Sequence, residues 1–289
     1  MPNREYIAAK AALEFYADHG VDIAINDDAV DKTALSYAPP AANVQKPDES
    51  LPQKSNAGVA KLSAQSQPLL GKTDAQLQAV KFAKAANTLD ELKQAIQEFE
   101  GIGLKKTATN LVFADGNPEA DIMLIGDAPG ADEDRIGKPF VGVAGELLDK
   151  ILACIKIDRT AEDLKQSVYL TNILNWRPPG NRTPTNAEIE ISLPFIERHI
   201  QLAKPKLIIM CGGVSAKSLT ATGQSISRLR KTWHDYKPST LSEGTSDQSI
   251  PAIATYHPDY LLSTPSQKRA VWQDILSVQD KRKELGLLP

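Results

Sequence analysis

Three short stretches of the chain carry residues able to bind or act on a ligand, and each adjoins an apolar run. IMLIG (122–126) leads into Gly126-Asp127-Ala128-Pro129-Gly130, where two glycines and a proline force a compact turn and let a ligand approach bare backbone amides. Taken alone, this is equally a generic tight turn. It lacks the Lys-Ser/Thr ending of a phosphate loop and the spacing of a dinucleotide fingerprint. VYLTNI (168–173) contains Asn172, either a turn former or an amide that reads a base edge through paired hydrogen bonds. The stiff basic loop Arg177-Pro178-Pro179-Gly180-Asn181-Arg182 follows it. PAIATYH (251–257) ends in His257, one of only four histidines, and its place at a strand end favours chemistry over a structural role. Phe140, set between Pro139 and Val141-Gly142 outside any amphipathic pattern, is either core or a stacking platform for a planar base.

These residues need a scaffold that brings them to one edge. A fourth apolar run, KLIIMCG (206–212), and helical stretches at Gly145–Lys156, Asn186–Ala203 and Val214–Thr220 alternate with the other three. That alternation predicts a parallel α/β sheet, whose ligands bind beyond the carboxyl ends of the strands. Upstream, helical patterning covers Ala75–Ala86, and Thr88 with Glu91 forms a capping-box pattern ahead of a helix ending near Glu100. At the other end, Ser266–Glu284 sets Ala270 or Val271, Ile275 and Val278 on one face of a terminal helix. The compact domain is expected at 73–289. Before it, residues 4–18 read as a short amphipathic helix within a region 1–30, and 31–72, with Pro39, Pro40, Pro47, Pro52 and Pro68, read as a flexible linker. The linker is either a plain tether or gives reach to a helix that docks on a partner through residues 1–20.

Composition bounds the chemistry. The 289 residues are 42% hydrophobic and 24% charged, which is globular rather than disordered or fibrous. No run approaches the roughly 18 apolar residues of a membrane span, and MPNREYIAAK lacks the apolar core of a secretory signal, so a cytoplasmic protein is expected. Cys154 and Cys211 are too few for a disulfide framework or a thiolate metal site, which favours chemistry without metal or cofactor. At net charge −3, any nucleic-acid contact must come from a local basic surface.

GDAPGADEDRIGKPFVGVAGELL, VYLTNILNWRPPGNRTPTNAEI and ATYHPDYLL, in this order, resemble the three motif regions of the uracil-DNA glycosylase superfamily, and most of all the iron–sulfur family 4 enzymes. The resemblance spans roughly residues 90–285. It implies a three-layer α/β/α sandwich around a four-stranded parallel sheet, and an enzyme that flips uracil out of DNA and hydrolyses its N-glycosidic bond. In the roles it implies, Asn172 donates to uracil O4 and accepts from N3–H, Phe140 stacks on the ring, and amides around Gly126 and Ala128 hold O2 or O4. His257 donates to O2 as charge grows there, while Asp127 positions water or stabilises the oxocarbenium ion. Tyr260 or Leu261 wedges into the duplex, and Arg182, Arg228, Arg230, Lys231, Lys268 and Arg269 are either phosphate contacts or solvated surface.

Three departures qualify the resemblance. Asp127 replaces the usual Glu and is one methylene shorter, so Glu133 is a candidate assistant. The four cluster cysteines fall on Phe99, Ile102, Trp176 and Ser192, which implies that apolar burial replaces the cluster. The loop PPGNRTPT carries no histidine, unlike that of the self-cross-linking relatives, which implies turnover. The expected function is therefore a monomeric DNA-repair glycosylase, cytoplasmic and associated with the nucleoid. The alternatives are a uracil- or DNA-binding module with little turnover, and a DNA-anchored adaptor that recruits a partner through its N-terminal helix.

Overall fold

Alternate residues of the central strands point into two separate apolar cores, and this sets the architecture. The computed structural model describes residues 70–239, 241 and 249–288. Strand β2 (Ile122–Gly126) sends Met123 and Ile125 to one core and Ile122 and Leu124 to the other; β4 (Leu207–Cys211) divides Ile208 and Met210 from Leu207 and Ile209 in the same way. All five residues of each strand are buried, as expected where a parallel strand is covered on both faces. With β3 (Tyr169–Asn172) and β6 (Ile250–Thr255), these strands form the parallel centre of the sheet.

The sheet is wider than the sequence pattern implied. Its order is β1-β3-β2-β4-β6-β5, with β1 (Asp115–Gly116) and β5 (Trp233–Tyr236) added antiparallel at the two edges. The first core is closed by α1 (Leu70–Ala85), α2 (Leu89–Glu98), α5 (Asn186–Ala203), α6 (Gly213–Thr220) and α7 (Ile226–Leu229). The second core is closed by α4 (Gly142–Ala153), α8 (Pro258–Ser263) and α9 (Lys268–Glu284). Helix α3 (Ala131–Ile136) opens from the turn after β2. This is the expected three-layer α/β/α sandwich with its four parallel strands, flanked by two antiparallel ones.

Helix ends follow local chemistry. Thr185 Oγ1 accepts the Glu188 N–H at 3.3 Å and Glu188 Oε2 accepts the Thr185 N–H at 2.8 Å, a reciprocal cap that starts α5 at the expected residue. At α2, Thr88 accepts the Glu91 N–H, but the Glu91 carboxylate reaches Asn87 instead of Thr88. Helix α1 starts at Leu70, five residues earlier than its pattern suggested and inside the stretch read as linker. On α9, Val271, Ile275 and Val278 face the core, whereas Ala270 is only partly buried. The N-terminal helix at 4–18 and the linker up to residue 69 lie outside the described residues. Among those residues no helix is long and apolar enough to cross a membrane.

Candidate active site at the carboxyl edge of the sheet

Strand register brings the first two motifs together. Gly126, last residue of β2, is the register partner of Asn172, last residue of β3. Pairing continues past the strand ends, with the Ile173 N–H on the Gly126 carbonyl at 2.9 Å and the Leu174 N–H on the Asp127 carbonyl at 3.2 Å. The Asn172 amide therefore stands directly over Gly126. A β-carbon at position 126 would overlap both the Asn172 Oδ1 and the edge of the Phe140 ring, so glycine is required for these groups to converge. The Asn172 side chain is 1% exposed, yet neither its Nδ2 nor its Oδ1 has a partner within the protein. An unpaired buried polar atom costs about 1 to 3 kcal/mol, so a site that keeps two of them in one amide is suited to an incoming ligand.

Phe140, 2% exposed and part of the second core, packs against the Gly126 position with His257 beside it. Their rings stack with centroids 5.6 Å apart and planes 28° from parallel. His257 caps α8: its Nδ1 accepts the Asp259 N–H at 3.3 Å, which places the proton of the neutral imidazole on Nε2. That nitrogen is then a donor. The Asp259 carboxylate lies 3.5 Å from Nδ1, ready to pair with the ring when it is protonated.

The two carboxylates of the first motif are placed differently. Asp127 Oδ1 accepts the Ser215 N–H at 2.7 Å, and the Gly213 and Val214 amides also face it, so the carboxylate is anchored on the first turn of α6. The turn permits this approach because Gly212, at φ +123°, lacks the β-carbon that would meet the carboxylate. Burial pushes the Asp127 carboxyl up, while His257 and the three amides pull it down. Glu133 spends its two carboxylate oxygens on the Gly130 and Phe140 amides. Burial likewise raises its carboxyl, against the pull of those two amides. Glu133 thus builds the turn around the site, each of its carboxylate oxygens accepting one backbone N–H. Ala128 lies on the same turn, half-buried.

The outer residues divide into free and committed groups. Lys268, Arg269, Arg228 and Lys231 are exposed, as phosphate contacts require. Arg182 is also at the surface but forks onto Glu188 at 2.6 and 2.9 Å, bracing the start of α5. Arg230 corrects the sequence reading: it pairs with the buried Asp274 at 2.8 and 2.9 Å and lies over the Tyr256 ring, so it is internal structure. Leu261 is a second correction. The single turn-and-a-half of α8 rotates it into the second core at 0% exposure, where it cannot enter a duplex. Tyr260 and Leu262, each 42% exposed, are the large side chains that α8 leaves at the surface, and Leu262 was missed because its exposure depends on that rotation.

The four positions implied as cluster ligands are all buried. Phe99, Ile102 and Trp176 belong to the first core, and Phe99 meets Phe82 and Phe195 edge to face at 5.6 and 5.2 Å. Ser192 is buried in α5. Phenyl, alkyl, indole N–H and hydroxyl groups supply no thiolate, so this residue set does not fit an iron–sulfur cluster.

The carboxyl edge of the parallel sheet thus carries a tight Gly-Asp turn, a partnerless buried amide, an aromatic ring and a histidine. The family model described as the Uracil DNA glycosylase superfamily matches residues 113–276, and the chain belongs to that superfamily. Among curated proteins it is similar to the Type-4 uracil-DNA glycosylase of Pyrobaculum aerophilum, at 33% identity over 65% of this chain and 91% of the relative. The Type-4 uracil-DNA glycosylases of Sulfurisphaera tokodaii (30% identity, 70% and 87% covered) and Archaeoglobus fulgidus (32%, 66% and 92%) are similar to it as well.

Proposed function

We infer that the chain is a DNA-repair enzyme that hydrolyses the N-glycosidic bond of uracil in DNA and leaves an abasic site. One observation carries the reading of the site: the Asn172 carboxamide, buried with both polar atoms unpaired, offers the donor and acceptor that uracil O4 and N3–H require. Cytosine presents the reverse pattern at those atoms. In this reading the flipped base slides against Phe140, and amides of the Gly126–Ala128 turn contact its carbonyl oxygens. As the bond to the sugar lengthens, negative charge gathers on uracil O2 and the Nε2–H of His257 stabilises it. The Asp127 carboxylate, fixed on α6, contributes a negative field to the positive sugar and orients the attacking water.

The remaining elements support contact with a DNA strand. Tyr260 and Leu262 fill the space the base leaves, while Lys268, Arg269 and, when it parts from Glu188, Arg182 contact phosphates. The protein acts as a monomer in the cytoplasm, at the nucleoid; recruitment of a protein partner through residues 1–20 rests on the sequence alone. A single-turnover assay on oligonucleotides with uracil in a single strand, in a U·G pair and in a U·A pair tests this function. Abasic sites are expected on at least one of them. Binding to all three with no uracil released would favour the binding-module alternative.

A further inference from the structure

Phe140 sits at φ +52°, a left-handed backbone conformation that its β-carbon crowds. An aromatic residue held there against its own preference points to surroundings that over-determine it, and such strain gathers at functional sites. Both of its peptide groups are gripped by charge. On one side the Glu133 carboxylate accepts the Phe140 N–H. On the other, Arg159, from the loop that follows α4, donates from Nη2 to the Phe140 carbonyl at 2.9 Å and from Nη1 to the Pro139 carbonyl at 3.4 Å. The guanidinium is itself fixed. Its Nε and Nη2 pair with Asp149 at 2.9 and 2.7 Å, its Nη1 lies 3.2 Å from Asp115, and its side chain is only 12% exposed. Helix α4 leaves room for the carbonyl because residue 145 is glycine, where a β-carbon would overlap it.

We infer that Arg159 is a positioning residue for the aromatic platform: locked between two carboxylates, it holds the Phe140 carbonyl so that the ring stays beside the Asn172 amide and parallel to His257. No motif contains Arg159, and it touches none of the reacting atoms. It acts through the Pro139 and Phe140 carbonyls, which a rigid planar fork braces against two carboxylates in one fixed geometry that a flexible ammonium does not impose. The inference rests on Phe140 being the surface on which the base stacks.

A double-mutant cycle tests it. Single-turnover uracil release is measured for the wild type, Arg159→Ala, Phe140→Ala and the double variant, with circular dichroism confirming the fold. Displacing the platform by a fraction of its width is expected to slow Arg159→Ala by roughly 10- to 100-fold, and Phe140→Ala at least as much. The double variant should then be within about twofold of Phe140→Ala, because the arginine has nothing left to position. Multiplying losses, or an unchanged rate in Arg159→Ala, would overturn the inference while leaving the platform in place. Full activity in Phe140→Ala would instead overturn the platform reading. If Arg159→Ala does not fold, Arg159→Lys replaces it, keeping the charge between Asp115 and Asp149 without the fork. If Phe140→Ala has no measurable rate, the same cycle is read from the ratio of affinities for uracil- and thymine-containing oligonucleotides by fluorescence anisotropy.

Discussion

Phe99 and Asn172 are buried almost equally, at 2% and 1%, and their surroundings treat them in opposite ways. Around Phe99 the protein supplies what the side chain wants: aromatic edges from Phe82 and Phe195 and an apolar core shared with Ile102 and Trp176. Around Asn172 it withholds it, leaving a donor and an acceptor unanswered beside a glycine that cannot fill the space. Burial alone therefore does not separate core from site in this molecule; Ser215, Tyr236 and Arg282 each leave one buried atom unpaired as well, but among the described residues Asn172 is the one side chain that leaves two. The Trp176 Nε1, unpaired within the apolar region, is a single donor and lacks the paired donor and acceptor that a base edge would match.

If the contrast holds, mutations in the two regions should act on different quantities. Phe99→Ala opens a cavity in a core whose residues at these four positions supply no thiolate, and should cost about 3 to 5 kcal/mol of stability, the largest effect expected. The rate measured on the molecules that remain folded should change little. His257→Ala should do the reverse, slowing single-turnover uracil release by roughly a hundredfold or more with affinity for uracil-containing DNA kept within a few-fold and only about 1 kcal/mol of stability lost with the α8 cap. Denaturation curves and single-turnover kinetics on both variants decide it. Loss of rate without loss of stability in Phe99→Ala would merge the two regions into one functional unit.

Much of this division was legible in the residues. Continuous apolar runs such as LIIMC gave the inner strands, because a strand covered on both faces has no polar side to interrupt it. The Thr185–Glu188 pair marked the start of α5 to the residue. Edge strands were not legible: β1 has only two residues, and Trp-His-Asp-Tyr in β5 alternates too weakly to declare itself. Asn172, Phe140 and His257 could be picked out because each is anomalous where it stands. Arg230 and Leu261 were misplaced because their roles are set by a partner 44 residues away and by the rotation of a six-residue helix. Arg159 carried no signal, since its purpose appears only with the backbone angle of Phe140.

A smaller effect sharpens the boundary at the basic loop. The Arg182 fork, with the cap from Thr185, holds the Glu188 carboxyl down to about 2 from the usual carboxylate range. A carboxyl lowered on folding stabilises the protein above its unfolded value near 4.5, and that contribution fades as pH falls through about 2. Glu188→Gln should therefore cost on the order of 1 kcal/mol at neutral pH, with solvent screening keeping it small, and should flatten the loss of stability over that acid range. Urea titrations at several pH values would show it. The freed Arg182 should leave DNA affinity the same or raise it; a fall would mean that the ion pair itself shapes the phosphate surface.

The claim that an unanswered amide at the sheet edge reads the base is tested most directly by one measurement: single-turnover release of uracil, and of cytosine from an otherwise identical oligonucleotide, by the wild type and by Asn172→Ala. The wild type should release uracil alone. Asn172→Ala should fold as well as the wild type or better, since it removes two buried unpaired atoms, and should lose about 1 to 3 kcal/mol of preference for uracil, roughly a 5- to 150-fold fall in uracil release. Uracil release at the wild-type rate in Asn172→Ala would contradict the account, because the atoms left without partners inside the protein would then have none in the substrate either.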